Sequence, residues 1–171
     1  MHITLYMAMS ADGIIAKDGN EDFLSHANWL KLLELAKGTG SFIWGRKTFE
    51  AVKTWDQSYH QDIKPFTEVV ISKDPNYLVD PGYIAANSPQ DAIKKLKSQG
   101  FQKTIVTGGS HTNTSFIQAN LVNEIIFNLE PTLAGYGTRI FSQAFPNLKL
   151  TLLSAKPYTN GIVTLHYQVN Y

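Results

Sequence analysis

Two places in the chain join an apolar, strand-like run to a helix start through glycine, and each could hold an anion. In one, Ile105-Val106-Thr107 runs into Gly108-Gly109-Ser110, and a helix-like segment follows from Thr114 to Asn120. Glycine lets backbone come close to a ligand, and the unpaired N–H groups of a helix start favour negative charge. In the other, Phe42-Ile43-Trp44 runs into Gly45-Arg46-Lys47-Thr48. Adjacent cations at such a junction suit phosphate, although a solvated helix turn explains them equally well. Two such junctions imply a ligand with separated phosphates, which is the shape of a dinucleotide cofactor.

Other chemistries fit less well. Gly40 to Thr48 approaches a P-loop, but Arg46 makes the spacing one residue too long, and Ser-Phe-Ile-Trp between the glycines looks like a strand. Gly108-Gly109-Ser110-His111-Thr112 has threonine where a nucleophile elbow needs its second glycine, which argues against a serine hydrolase. G-x-G-x-x-G is absent. The five histidines, His2, His26, His60, His111 and His166, show no i, i+4 pair, and there is no cysteine, so no metal site is expected. The carboxylates form no catalytic pair by spacing. Asp12, followed by Gly13, reads as a turn residue.

These junctions need a scaffold. The chain has 171 residues, 43% of them hydrophobic, enough for one domain over residues 1–171. The net charge is +1 and the lysines and arginines are spread out, so no nucleic-acid partner is expected. No apolar run reaches the ~20 residues of a membrane span, and the N-terminus starts on a strand pattern with no signal peptide. A cytoplasmic protein is expected. Strand patterns at 2–9, 41–44, 69–72, 83–86, 104–107 and 124–129 alternate with helical ones at 29–37, 48–53 and after Ser88-Pro89-Gln90-Asp91. That order predicts an α/β fold with a mostly parallel sheet. Two alternating runs, 148–155 and 162–169, flank Asn160-Gly161 and predict a C-terminal antiparallel hairpin. The apolar island Ile14-Ile15-Ala16 should pack over core or ligand.

In order and spacing these motifs resemble the dihydrofolate reductase-like superfamily, in its riboflavin-biosynthesis reductase branch. Met9-Ser10-Ala11-Asp12-Gly13-Ile14-Ile15-Ala16 resembles the first strand and the loop over the nicotinamide. Gly45-Arg46-Lys47-Thr48 resembles the first phosphate motif, Val70-Ile71-Ser72-Lys73 the strand end beside the adenosine phosphate, and Val106-Thr107-Gly108-Gly109-Ser110 the glycine pair at the pyrophosphate. Asn123-Glu124-Ile125 and Pro131-Thr132-Leu133-Ala134-Gly135 match a pattern frequent in the riboflavin branch. The resemblance implies a three-layer fold, NADPH as cofactor and a small heterocyclic or ribosylamino-pyrimidine substrate. It implies cofactor contacts from Ala8, Ile15, Ala16, Gly45, Arg46, Lys47, Thr48, Ser72, Lys73, Thr107, Gly108, Gly109 and Ser110. It implies a substrate wall from Asn28, Trp29, Leu32, Val52 and Asn128.

One departure matters. Dihydrofolate reductases carry an acid on the first helix, and counting from Gly45-Arg46 puts that position at Asn28 or Trp29. The folate reaction is therefore the second expectation, and a nucleotide-binding protein with little turnover the third. No residue is assigned as the proton donor. The branch commonly pairs through sheet edges, and the terminal hairpin carries apolar residues on both faces, so a homodimer is expected.

Overall fold

The computed structural model describes residues 1–171. In chain order the elements are β1 (His2–Ser10), β2 (Ile14–Ala16), α1 (Ala27–Thr39), β3 (Ser41–Gly45), α2 (Arg46–Val52), α3 (Gln57–Ile63), β4 (Thr67–Ile71), β5 (Ile84–Ala86), α4 (Pro89–Ser98), β6 (Lys103–Val106), α5 (Ser110–Gln118), β7 (Glu124–Glu130), β8 (Thr138–Arg139), β9 (Lys149–Pro157) and β10 (Val163–Asn170). Eight strands form one sheet in the order β5-β4-β3-β6-β1-β7-β10-β9. β5 to β7 run parallel, while β10 lies antiparallel to both β7 and β9. This is the expected dihydrofolate reductase-like α/β arrangement with its C-terminal hairpin.

Neighbouring residues of the central strands point to opposite faces, and both faces are covered. Ile43, Val69 and Val106 pack with Leu96 of α4 and Phe116 of α5. Phe42, Val70 and Ile105 pack with Trp29, Leu32 and Ala36 of α1 and with Phe49 and Val52 of α2. The result is three layers. α4 starts as its sequence predicts: Ser88 Oγ accepts the Asp91 N–H at 3.2 Å, and Pro89 opens the first turn.

The sheet order sets the place for a ligand. From β1 the chain crosses to β3 and runs outward through β4 and β5. It then returns to lay β6 between β3 and β1, and β7 on the far side of β1. The direction of winding therefore reverses beside β1, and in open α/β sheets a crevice forms at the carboxyl ends there.

Three parts were not read from sequence in this form. α3 is polar apart from Tyr59 and Ile63, and it is capped by Asp56, whose carboxylate accepts the Ser58 N–H at 2.9 Å. Two-residue β8 is too short to show a pattern; it pairs with β2 in a small antiparallel sheet. At the hairpin, Asn160 and Gly161 do take the positive φ values expected of Asn-Gly, 60° and 79°. Even so, the connection is longer than a two-residue turn, and the Tyr158 N–H donates to Ile162 O at 2.7 Å to close it. No helix is long and apolar enough to cross a membrane.

Candidate active site

A cleft of about 1590 Å³ opens over the carboxyl ends of β1, β3, β4 and β6. Every candidate residue named from the sequence lines it except Asn128. The two glycine junctions, far apart in sequence, meet on its floor: the Gly45 N–H donates to Gly108 O at 2.8 Å. Gly108 has a φ of 95°, which favours glycine. A Cβ on Gly109 would lie 3.0 Å from Thr48 Oγ1, tighter than side chains normally accept. The turn thus brings bare backbone against the start of α2. α5 begins at Ser110, whose buried Oγ has no partner within the protein. Arg46 is shared between Asp74, at 3.3 Å, and Glu50, at 3.9 Å. Lys47 and Lys73 pair with no carboxylate. Bare glycine backbone, an orphaned hydroxyl at a helix start and two uncommitted ammonium groups fit a phosphate-bearing cofactor.

The other end has a different character. Asn28, one of the two positions where the resemblance puts a folate enzyme's acid, is 6% exposed and held from all sides. Its Nδ2 donates to Ser25 O at 3.2 Å and to Glu130 Oε1, and its Oδ1 accepts from Asn128 Nδ2 at 3.0 Å. Glu130 Oε1 also takes the Ser25 N–H at 2.8 Å and the Ser25 hydroxyl at 2.7 Å. A carboxylate is therefore present behind this position, supplied by β7 instead of α1. Asn128 corrects the sequence reading. It is fully buried, bound to Tyr6, Asn28 and Thr164, and stands behind the wall. Because β7 lies next to β1, every second β7 side chain points into the layer beneath α1, and Asn128 is spent on positioning Asn28.

Trp29 continues the wall. Its Nε1 donates to Asp62 at 2.9 Å, and its ring meets Trp55 and Tyr59 edge-on, with centroids 5.8 and 5.0 Å apart. Glu21, Asp22, Ser25, His26, Trp55, Asp56 and Tyr59 all line the cleft and were missed in the sequence. They sit in the 17–26 loop and in or beside α3, which show no periodic pattern. Burial, with the neighbouring Asp22 charge, pushes the Glu21 carboxyl up to about 7. Asp12 does not line the cleft. Its carboxylate accepts from Ser10 Oγ at 2.6 Å and from the Ala134 and Gly135 N–H groups at 3.0 and 2.8 Å, which hold it down at about 2. It clips the 131–137 loop to the end of β1, as a turn residue would.

Sheet order and cleft define a dihydrofolate reductase-like protein. Within that class the chain belongs to the RibD C-terminal domain family, whose model matches residues 1–164. It is 23% identical to the uncharacterized protein YyaP of Bacillus subtilis (strain 168), over 98% of this chain and 95% of that one. Among solved structures it superposes on a diaminohydroxyphosphoribosylaminopyrimidine deaminase/5-amino-6-(5-phosphoribosylamino)uracil reductase from Thermotoga maritima. That match has a TM-score of 0.75 and 13% identity, and covers 99% of this chain but 56% of that protein. It also superposes on a dihydrofolate reductase from Enterococcus faecalis complexed with NADP(H), with a TM-score of 0.70, 16% identity and coverage of 99% and 97%.

Proposed function

We propose that this chain is a cytoplasmic NADPH-dependent reductase acting on a small heterocycle, with a ribosylamino-pyrimidine as the case its family suggests. The observation that carries this reading is the joined pair of glycine junctions with the orphaned Ser110 hydroxyl at the second of them. When bound, the reduced nicotinamide supplies the hydride, and the protein supplies position and field. Gly108, Gly109 and Ser110 would hold the pyrophosphate. Arg46, Lys47, Thr48, Ser72 and Lys73 would hold the adenosine side. Ala8, Ile15 and Ala16 form an apolar wall that keeps water from the nicotinamide ring. Asn28, Trp29, Leu32 and Val52 orient the acceptor. Glu21 lines the same wall, with its carboxyl raised to about 7 by burial and the neighbouring Asp22 charge.

Gly109→Val tests the reading. The added side chain collides with Thr48 and fills the space that the phosphates need. NADPH fluorescence titration should show binding lost by more than about tenfold, with the fold retained by circular dichroism. Unchanged affinity would remove the pyrophosphate assignment. Dihydrofolate reductase is the second reading, favoured by the shared fold and by the Glu130 carboxylate behind Asn28.

A further inference from the structure

The lysines and arginines that line the cleft are confined to part of it. Its lysines and arginines, Arg46, Lys47, Lys73 and Arg139, belong to the α2 start, the β4 end and β8. The lining residues between 19 and 32 and between 51 and 59 include no lysine or arginine, and they include Glu21, Asp22 and Asp56. A phosphate at this end would meet three carboxylates, with the His26 imidazole as the one basic side chain among these lining residues, and like charges repel.

The hydrogen-bond inventory at this end points the same way. Asn28 commits both hydrogens of its amide nitrogen inside the protein, to Ser25 O and to Glu130. Ser25 gives its one hydroxyl proton to Glu130. What remains on each is lone pairs: one on Asn28 Oδ1, two on Ser25 Oγ. Glu130 is 5% exposed and accepts only, so it locks both neighbours in this sense. An asparagine could have offered donors to a carbonyl-bearing ring, but here it cannot turn without stranding a buried carboxylate. Beside these acceptors stand the rings of Trp29, Trp55 and Tyr59, within 5.8 Å of one another, a surface suited to a planar or cationic ring.

We infer that the substrate end of this cleft takes a planar nitrogen heterocycle that presents hydrogen-bond donors or a positive charge and carries no phosphate. Glu130 is then a positioning residue, acting through Asn28 and Ser25 to fix which polarity the wall presents. The inference rests on the reductase reading and narrows it, because it favours a heterocycle without phosphate over a phosphorylated ribotide.

Calorimetric titration of the protein, with and without saturating NADPH, decides it using three probes. They are 2,4-diaminopyrimidine, which offers donors, 2,4-dimethoxypyrimidine, a planar ring of similar shape without them, and uridine 5′-monophosphate. Saturating NADPH keeps the nucleotide probe out of the cofactor end. The diamino compound should bind at least about tenfold more tightly than either of the others. Ser25→Ala should weaken it several-fold while leaving NADPH affinity within about twofold. Asn28→Leu should do the same, and Ser25→Ala keeps the test open if that variant misfolds. Equal affinity for the diamino and dimethoxy rings, tighter binding of the phosphorylated probe, or no binding of the diamino compound would each overturn the inference while leaving the reductase reading in place. Failure of NADPH itself to bind, with diaminopyrimidine still bound, would overturn the reductase reading and keep the polarity assigned to this end.

Discussion

Glu21 shows how much chemistry one loop residue can carry. Its carboxyl sits at about 7 because burial disfavours the charged form and Asp22 adds a like charge. Carbon-13 titration of labelled glutamate should find one carboxyl ionising near 7 in the wild type and missing in Glu21→Gln. Asp22→Asn should bring the value down. A spectrum in which all wall carboxyls ionise near 4.5 would contradict the assignment. Nothing in the sequence marked this residue, because burial of a loop side chain depends on what folds over it. By contrast, Gly108-Gly109 and Gly45-Arg46 were legible because tight turns after strands need particular residue types. Asn28 was legible only as a missing acid. The carboxylate behind it, Glu130 of β7, is brought there by a contact across 102 positions, which no local pattern contains.

Among the elements, β4 holds an unexpected cost. Glu68 is 5% exposed on a strand buried on both faces, and its Oε2 has no partner. Burial pushes its carboxyl up to about 8, from an ordinary 4.5. The folded state therefore keeps a proton that the unfolded chain releases above pH 4.5, and stability falls as pH rises between 4.5 and 8. Urea unfolding should show Glu68→Gln gaining on the wild type by on the order of a few kcal/mol from pH 5 to pH 9, with little difference at the acid end. Parallel stability curves for the two proteins across this range would refute it. The periodic elements, α1, α4 and the central strands, could be read from sequence because each buries one stripe or both faces of a continuous apolar run. α3 could not, since its one inward stripe is Tyr59 and Ile63.

At the scale of the whole molecule, the sheet ends in an unpaired edge. Leu150, Leu152 and Leu153 of β9 and Val163 of β10 are 38% to 55% exposed. A register shift where His166 and Tyr167 face Ser154 and Leu152 leaves Leu153 as the extra residue, beside the exposed Leu152. An exposed apolar edge strand invites pairing, and a second copy of the chain would satisfy both the edge and the leucines. We expect a symmetric homodimer, with light scattering giving twice the mass of one chain. Leu152→Asp with Val163→Asp should return it to the monomer. A wild type that is monomeric at micromolar concentration would show the edge to be tolerated as it stands.

On the proposed reading, the joined glycine junctions and their surrounding cations make a cleft for a phosphate-rich reduced nicotinamide dinucleotide. Fluorescence titration of the wild-type protein with NADPH and NADH tests it most directly. Lys47 and Lys73 are free of carboxylate partners, so an additional phosphate on the adenosine should be held by charge-assisted bonds. NADPH should bind at least about tenfold more tightly than NADH. Absence of measurable binding by both would contradict the account, and equal affinities would remove the basis for assigning those cations to the adenosine phosphate.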